Sequence, residues 1–383
     1  MNTQTTSSTA RSPINLPAAI MFIVTTAMAL TWLPGYAWFF DFSGEAWAFF
    51  VVMMYATGMS ITGGYHRLWA HRAYEAHWTL RLFYMLFGAM ALQNSVLVWA
   101  STHRRHHQHV DDVDHDPYSI NRGLWSAHIG WMLRDYPSGK LDFSNSPDLL
   151  ADPIVMFQHR HYLGLALGMN FIFPIAIGMV FGDPWGFLLL GGLLRLVVNH
   201  HLTFFINSLA HFWGRRPYTA DNTARDNDVL ALFTYGEGYH NFHHLFQWDY
   251  RNGVRWWQFD PTKWLIAGCE MLGLTAKLKR VPEFKIRSAM LETAFAHTHE
   301  YLETSRHPRL DELKKRFERE REAFAATLAE WRALQSNKFE AAKKQIADQW
   351  EHSDARRKLI ELERSLHEQY ARVRALRFQT ARA

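Results

Sequence analysis

The chain has 383 residues, 48% of them hydrophobic, and 41 Lys and Arg against 36 Asp and Glu leave a formal charge of +5. Its single cysteine, Cys269, excludes an intrachain disulfide, a cysteine-based zinc site and an iron-sulfur cluster carried by this chain. Nothing in the charge pattern points to nucleic acid, and the small basic excess fits the topology of a membrane protein.

Residues 1–16 form a polar N-terminal segment. The apolar stretch after it is longer than a signal-peptide core and is soon followed by another, so it reads as a retained span. Stretches of about 20 apolar residues match the roughly 30 Å hydrocarbon layer of a bilayer. Four qualify, near 17–39, 45–64, 160–181 and 185–207. No Lys or Arg occurs between Arg11 and Arg67, nor between Arg160 and Arg195. Short cytoplasmic loops carry the Lys and Arg excess. The connections Pro34 to Glu45 and Phe181 to Gly186 therefore read as external, and both termini as cytoplasmic.

The first span runs into the second, which ends in HRLWAHR, with His66 and His71. Two glycines, Gly63 and Gly64, precede this box. Positions i and i+5 lie about 140° apart on an α-helix, so these rings can meet only if the helix is distorted or ends there. A further apolar segment, Leu80 to Ala100, is long enough to cross, but one crossing would put the first two histidine boxes on opposite faces. It also carries Gln93, Asn94 and Ser95, which are costly in lipid. It is expected to stay on the cytoplasmic side.

The second box, HRRHH, holds His103, His106 and His107; after the last span come His211 and the third box, HNFHH, with His240, His243 and His244. In both later boxes the spacing i, i+3, i+4 shares one helix face. With two spans between the second box and His211, all nine histidines reach one compartment. Val110 to Pro153 reads as a polar cap with a helical pattern at Leu124, His128, Trp131 and Met132. FDPTKW starts a helix, with Asp260 as N-cap and Pro261 in the first turn. From about Leu291 the composition turns to Ala, Glu, Lys, Arg and Leu. Apolar residues then recur at Leu310, Leu313, Phe317, Phe324, Leu328 and Trp331, then Phe339, Ile346 and Trp350, predicting amphipathic helices.

Nine imidazoles exceed one closed zinc site and suit two metals with open positions, iron among the candidates. Carboxylates that orient such rings are sought at Glu237, Asp111, Asp112 and Asp114. No dinucleotide fingerprint, haem-attachment motif or cysteine cluster supplies electrons, so a separate donor is required. GEGYHNFHH is not a phosphate loop, because its glycines lack the following Lys-Ser/Thr. A histidine-rich metal transporter would line its spans with ligands at mid-depth. Here the clusters sit at span ends. His200 and His201, the deeper pair, read as packing residues, and Arg195 must face the bundle or a cavity.

In GGYHRLWAHR, the stretch from Gln93-Asn94 to Trp99, HRRHH, NSLAHFWGRRPY, GEGYHNFHH and FDPTKW, the chain resembles the membrane-bound acyl-CoA desaturases of the stearoyl-CoA delta-9 type, from about Ile61 to Ile266. The resemblance implies an all-α membrane protein: four transmembrane helices, a cytoplasmic helical cap holding a histidine-rich di-iron site, and here a C-terminal helical extension. The parts fall at 1–16, 17–285 and 286–383. It implies two iron ions, one held by His66, His71, His103, His107 and His244, the other by His106, His211, His240 and His243 with a water on Asn207. The acyl chain would bend at Gln93, Trp99 and Thr203, meet Asn94 as a further binding residue, and end at Met54 and Gly58. The implied reaction uses O2 and two electrons to leave a cis delta-9 double bond in an acyl-CoA or another acyl carrier. Ferredoxin or cytochrome b5 with a reductase would serve as donor. A hydroxylase or ketolase is the alternative within the class. Phe204, where the family commonly has Trp, and Tyr65, where a small residue is usual, are the departures.

Overall fold

The computed structural model describes residues 12–305, 307–343 and 354–381. It divides into two units, one up to Arg215 together with Asn222–Arg280, the other Arg216–Asp221 with Val281–Ala383. Helices dominate both.

Among the described residues, four helices of the first unit are long and apolar enough to cross a membrane: α1 (Leu16–Phe39), α2 (Gly44–Ala70), α5 (Pro153–Phe181) and α6 (Pro184–Phe212). Each begins on a polar cap. Asn15 accepts from the Ala18 amide, Ser43 from Ala46, Asp152 from Ile154 and Val155, and Asp183 from Gly186. Asp183 also accepts hydrogen bonds from the Tyr36 hydroxyl at 3.1 Å and the Ser43 hydroxyl at 2.9 Å. The two connections expected to be external are thus tied at the same end of the bundle. Apolar side chains such as Ile23, Leu30 and Trp38 of α1 stand exposed, as lipid-facing residues do.

Leu80 to Ala100 does not form a span. It divides into α3 (Trp78–Met90) and α4 (Val96–Gln108), broken at Ala91–Ser95, where Leu92 and Asn94 have φ of 52° and 72°. The polar trio that spoils a span sits at this break. The helix expected around Leu124 to Met132 is present but short, helical from Leu124 and π-helical over Ser126–Gly130, ending in a turn at Trp131 and Met132. Short helices α7 (Asp228–Phe233) and α8 (His240–Leu245) and helix α9 (Pro261–Met271) follow. Asp260 caps α9 by accepting from the Lys263 amide at 2.9 Å. A two-residue antiparallel ladder joins Glu75–Ala76 to Thr275–Ala276.

The second unit contains α10 (Glu283–Thr304), α11 (Leu310–Lys343) and α12 (Asp354–Ala381). Leu313, Phe317 and Phe324 of α11 pack with Phe284, Leu291 and Phe295 of α10 and with Leu362, Leu366 and Val373 of α12. That is the expected apolar stripe finding its partners. Ile346 and Trp350 lie outside the described residues.

Candidate metal centre

Helix α2 does not keep its α pitch. From Ser60 to Ala70 it is π-helical, and the His71 amide donates to the His66 carbonyl, an i→i+5 bond of 3.0 Å. A π-turn closes after about five residues, so the i, i+5 spacing that misfits an α-helix brings both rings to one side, with centroids 4.7 Å apart. Gly64 makes room for this: a Cβ there would lie 2.7 Å from the Tyr84 ring of α3.

His103, His106 and His107 come from α4, His211 from the end of α6, and His240, His243 and His244 from α8. Asp226 fixes the start of α8, its Oδ1 accepting from the Asn241 and Phe242 amides at 2.9 and 3.1 Å. Two groups result, in each of which the ligand atoms lie within 4.8 Å of one another: His66, His71, His103, His107 and His243, and His106, His211, His240 and His244. The resemblance divides the last box the other way, and the structure exchanges His243 with His244. The reason is helical geometry. Residues i and i+4 differ by about 40° in direction and i and i+3 by about 60°, so the i, i+4 pair stays together. In the second box that pair is His103 and His107, in the third His240 and His244, whose Nε2 atoms are 3.0 Å apart.

The protons place the lone pairs. His66 Nδ1 donates to Glu237 Oε2 at 3.0 Å and His106 Nδ1 to Asp116 Oδ1 at 2.9 Å. His211 Nδ1 donates to the Thr223 hydroxyl at 2.8 Å, which itself donates to Asp111. In these rings Nε2 carries a bare lone pair aimed at another imidazole nitrogen: 3.0 Å from His66 to His243, 3.3 Å from His106 to His244 and 3.1 Å from His211 to His240. Each such contact is closed either by an Nε2–H of the facing ring or by a cation shared between two bare nitrogens, and about 3.0 Å is the spacing of adjacent nitrogens around an ion at about 2.1 Å. The residues present fit a metal in each group. Burial, then the neighbouring imidazoles, hold His71, His103, His107, His240, His243 and His244 well below the ordinary imidazole value of 6.5. They are neutral at physiological pH, as ligands must be.

Of the carboxylates sought, Glu237 touches a ring directly and Asp111 acts through Thr223, whereas Asp112 is engaged with exposed His115. The sequence reading missed Asp116. It lies ten positions after His106, at the base of a turn that folds back, where its other oxygen accepts from the Asp111 amide at 3.1 Å. An acid before a proline close to the box is the signal that was there. Arg67, which in the sequence signals only topology, is buried between Glu237 and Asp260, at 2.9 and 3.0 Å.

Beside the histidines runs a cavity of about 580 Å³ lined by His66, His103 and His240, by Gln93, Asn94, Trp99, Thr203 and Asn207, and by Ile61, Thr62, Phe22 and Phe204. Gln93 donates to the Thr203 hydroxyl at 3.0 Å and accepts from the Trp99 indole at 3.3 Å. Met54 and Gly58 do not line it. The Tyr235 ring occupies the place of a Gly58 Cβ, within 2.1 Å, and its hydroxyl donates to the Met54 carbonyl at 2.9 Å. Of the two departures, Phe204 lines the cavity, stacked on His200 at 5.5 Å. Tyr65 is buried outside it, accepting from Gln158 at 2.6 Å.

Four apolar helices joined to a nine-histidine cluster beside a cavity define a multi-pass membrane protein with two candidate metal sites. The fatty acid desaturase family matches residues 45–276, and the chain belongs to that family. It is 44% identical over 268 residues to acyl-CoA desaturase 1 of Saccharomyces cerevisiae, covering 68% of this chain and 52% of that protein. It is 44% identical over 245 residues to a probable acyl-CoA desaturase of Schizosaccharomyces pombe, covering 63% and 51%. With stearoyl-CoA desaturase 5 of Homo sapiens it shares 36% over 255 residues, covering 64% and 76%. The chain spans about half the length of the two yeast relatives.

Proposed function

We propose that the chain is an O2-dependent acyl desaturase that introduces a cis double bond, at the delta-9 position, into a saturated acyl-CoA. The observation that carries this is the junction of one cavity of about 580 Å³ with both histidine groups: His66 and His103 of the first and His240 of the second form part of its wall. Iron held by His66, His71, His103, His107 and His243, and by His106, His211, His240 and His244, would supply O2 activation and the removal of hydrogen from unactivated methylenes. The balance is one O2, two electrons and two protons consumed with two substrate hydrogens, giving two waters and the alkene.

The protein's own groups do the rest. Glu237, Asp116 and Thr223 keep Nδ1 protonated on His66, His106 and His211, so that Nε2 faces the metals. Asn207 stands on the cavity wall, where it can hold a water at the second group. Gln93, Trp99 and Thr203 form one hydrogen-bonded ledge that bends the chain and sets which carbons meet the histidines, and Asn94 lines the same cavity. Apolar walls at Phe22, Ile61 and Phe204 exclude water. The arginines beside the boxes support a cytoplasmic position for this face, the cap and both termini, where a separate donor, a ferredoxin or cytochrome b5 with its reductase, would deliver electrons. In this reading the desaturase domain takes 17–285 and a C-terminal extension takes 286–383.

Gas chromatography of fatty acids from cells expressing the full chain tests the reading. A new monounsaturated acid that disappears with His106→Ala supports it. Hydroxy fatty acids in its place would favour the hydroxylase.

A further inference from the structure

Arg195 lies in the middle of α6 and is fully buried, yet no carboxylate among the described residues pairs with it. A charge at such a place is expensive and is kept for a purpose. Its guanidinium makes three hydrogen bonds: Nε to its own helix at the Gly191 carbonyl, 3.0 Å; Nη1 to the Met90 carbonyl, 2.9 Å; and Nη2 to Asn170 Oδ1 of α5, 2.6 Å. Asn170 turns its own amide to the same Met90 carbonyl at 3.0 Å. Five positions after Arg195, His200 Nε2 donates to the Ala91 carbonyl at 2.9 Å.

Met90 is the last residue of α3 and Ala91 its C-cap. The final carbonyls of a helix have no partner within it and carry the negative end of its dipole. A cation seated there, with no carboxylate, is what that end calls for. The chain then reverses through Ala91–Ser95, with Leu92 and Asn94 at positive φ. A leucine rarely adopts that conformation, so the turn persists only if its surroundings hold it. Its tip is Gln93, which Thr203, eight positions after Arg195 on α6, holds at 3.0 Å. One helix thus grips the turn at Met90, Ala91 and Gln93. Arg195 and Asn170 do not line the cavity.

We propose that Arg195, seconded by Asn170, is a positioning residue that locks the Ala91–Ser95 turn and thereby the placement of Gln93, so that the position of the new double bond depends on a side chain that touches no substrate. The proposal rests on the desaturase reading for its chemical readout and has a second readout that does not. A guanidinium bridges Met90 and Asn170 at once, and an ammonium lacks that fork.

The test uses the full chain in detergent or bilayer discs, as wild type, Arg195→Lys, Arg195→Gln and Asn170→Ala. Hydrogen-deuterium exchange of peptides covering Met90 to Trp99 is expected to quicken about tenfold in Arg195→Gln, with smaller increases in the other two, because local opening is measured directly there. Iron content is expected to stay at the wild-type level. Products from a saturated acyl-CoA, located by mass spectrometry, are expected to shift from one double-bond position to a spread over neighbouring carbons in Arg195→Gln, and to narrow again in Arg195→Lys. Wild-type exchange in this segment overturns the proposal, as does quickened exchange with an unchanged single position. Where Arg195→Gln is not recovered folded, Asn170→Ala carries both readouts. If the wild type makes no alkene, the desaturase reading falls, and the exchange rates alone decide whether Arg195 holds the turn.

Discussion

Glu237 Oε2 accepts the Nδ1 proton of His66 at 3.0 Å, both side chains buried. One carboxylate thereby joins a buried cation, through Arg67 at 2.9 Å, to a ring at the heart of the first histidine group. Burial works against ionisation of Glu237, but His66 and Arg67 prevail, and its carboxyl is held below the usual range. Glu237→Gln keeps the shape and removes the charge. The expected result is a loss of iron affinity or turnover of about 10–100-fold, read by iron per chain and by product formation. Full iron and full turnover in this variant would contradict the assigned role.

The metal-depleted protein should lose stability on acidification. Six imidazoles, buried at His103, His240 and His243 and half-buried at His71, His107 and His244, sit well below 6.5 in the folded chain. Below 6.5 the unfolded chain takes up protons that the folded chain refuses, so the stability present above that value falls as pH drops toward the folded values. Melting temperatures of the iron-free protein across this range check the sign. A midpoint that rises on going below 6.5 would be the wrong outcome.

Gly58 is expected to act through Tyr235. A methyl group there would sit 2.1 Å from the Tyr235 ring, and the ring is anchored by hydrogen bonds from its hydroxyl to Asn199 at 2.7 Å and to the Met54 carbonyl. Gly58→Ala should therefore cost about 1–3 kcal/mol by overpacking. The double variant with Tyr235→Ala should recover part of it. Thermal unfolding in detergent measures both, and an undisturbed Gly58→Ala would show that the ring yields freely.

Much of this was legible in the sequence because hydrophobic length and histidine spacing are local signals. Four spans emerged from runs of apolar residues, and counting spans between the boxes required Leu80 to Ala100 not to cross, which the break at Ala91–Ser95 satisfies. What remained hidden was set by backbone geometry or by distant partners. The i, i+5 spacing of His66 and His71 demanded a distortion but did not reveal the π-turn. The pairing of His243 with the first group depended on how α8 is rotated, which Asp226 fixes from 14 positions before His240. Asp116 reaches His106 only because the intervening turn folds back, and Met54 and Gly58 left the cavity wall because Tyr235 packs over them.

The measurement closest to the central claim is a reaction of the purified, iron-loaded full chain with stearoyl-CoA, O2 and a reducing system, followed by mass spectrometry of the products. The expected result is a single cis-monounsaturated acyl product bearing its double bond between the ninth and tenth carbons, absent without O2 and absent in His106→Ala. A saturated product recovered unchanged, or a hydroxylated one, from a protein that has bound its iron would contradict it.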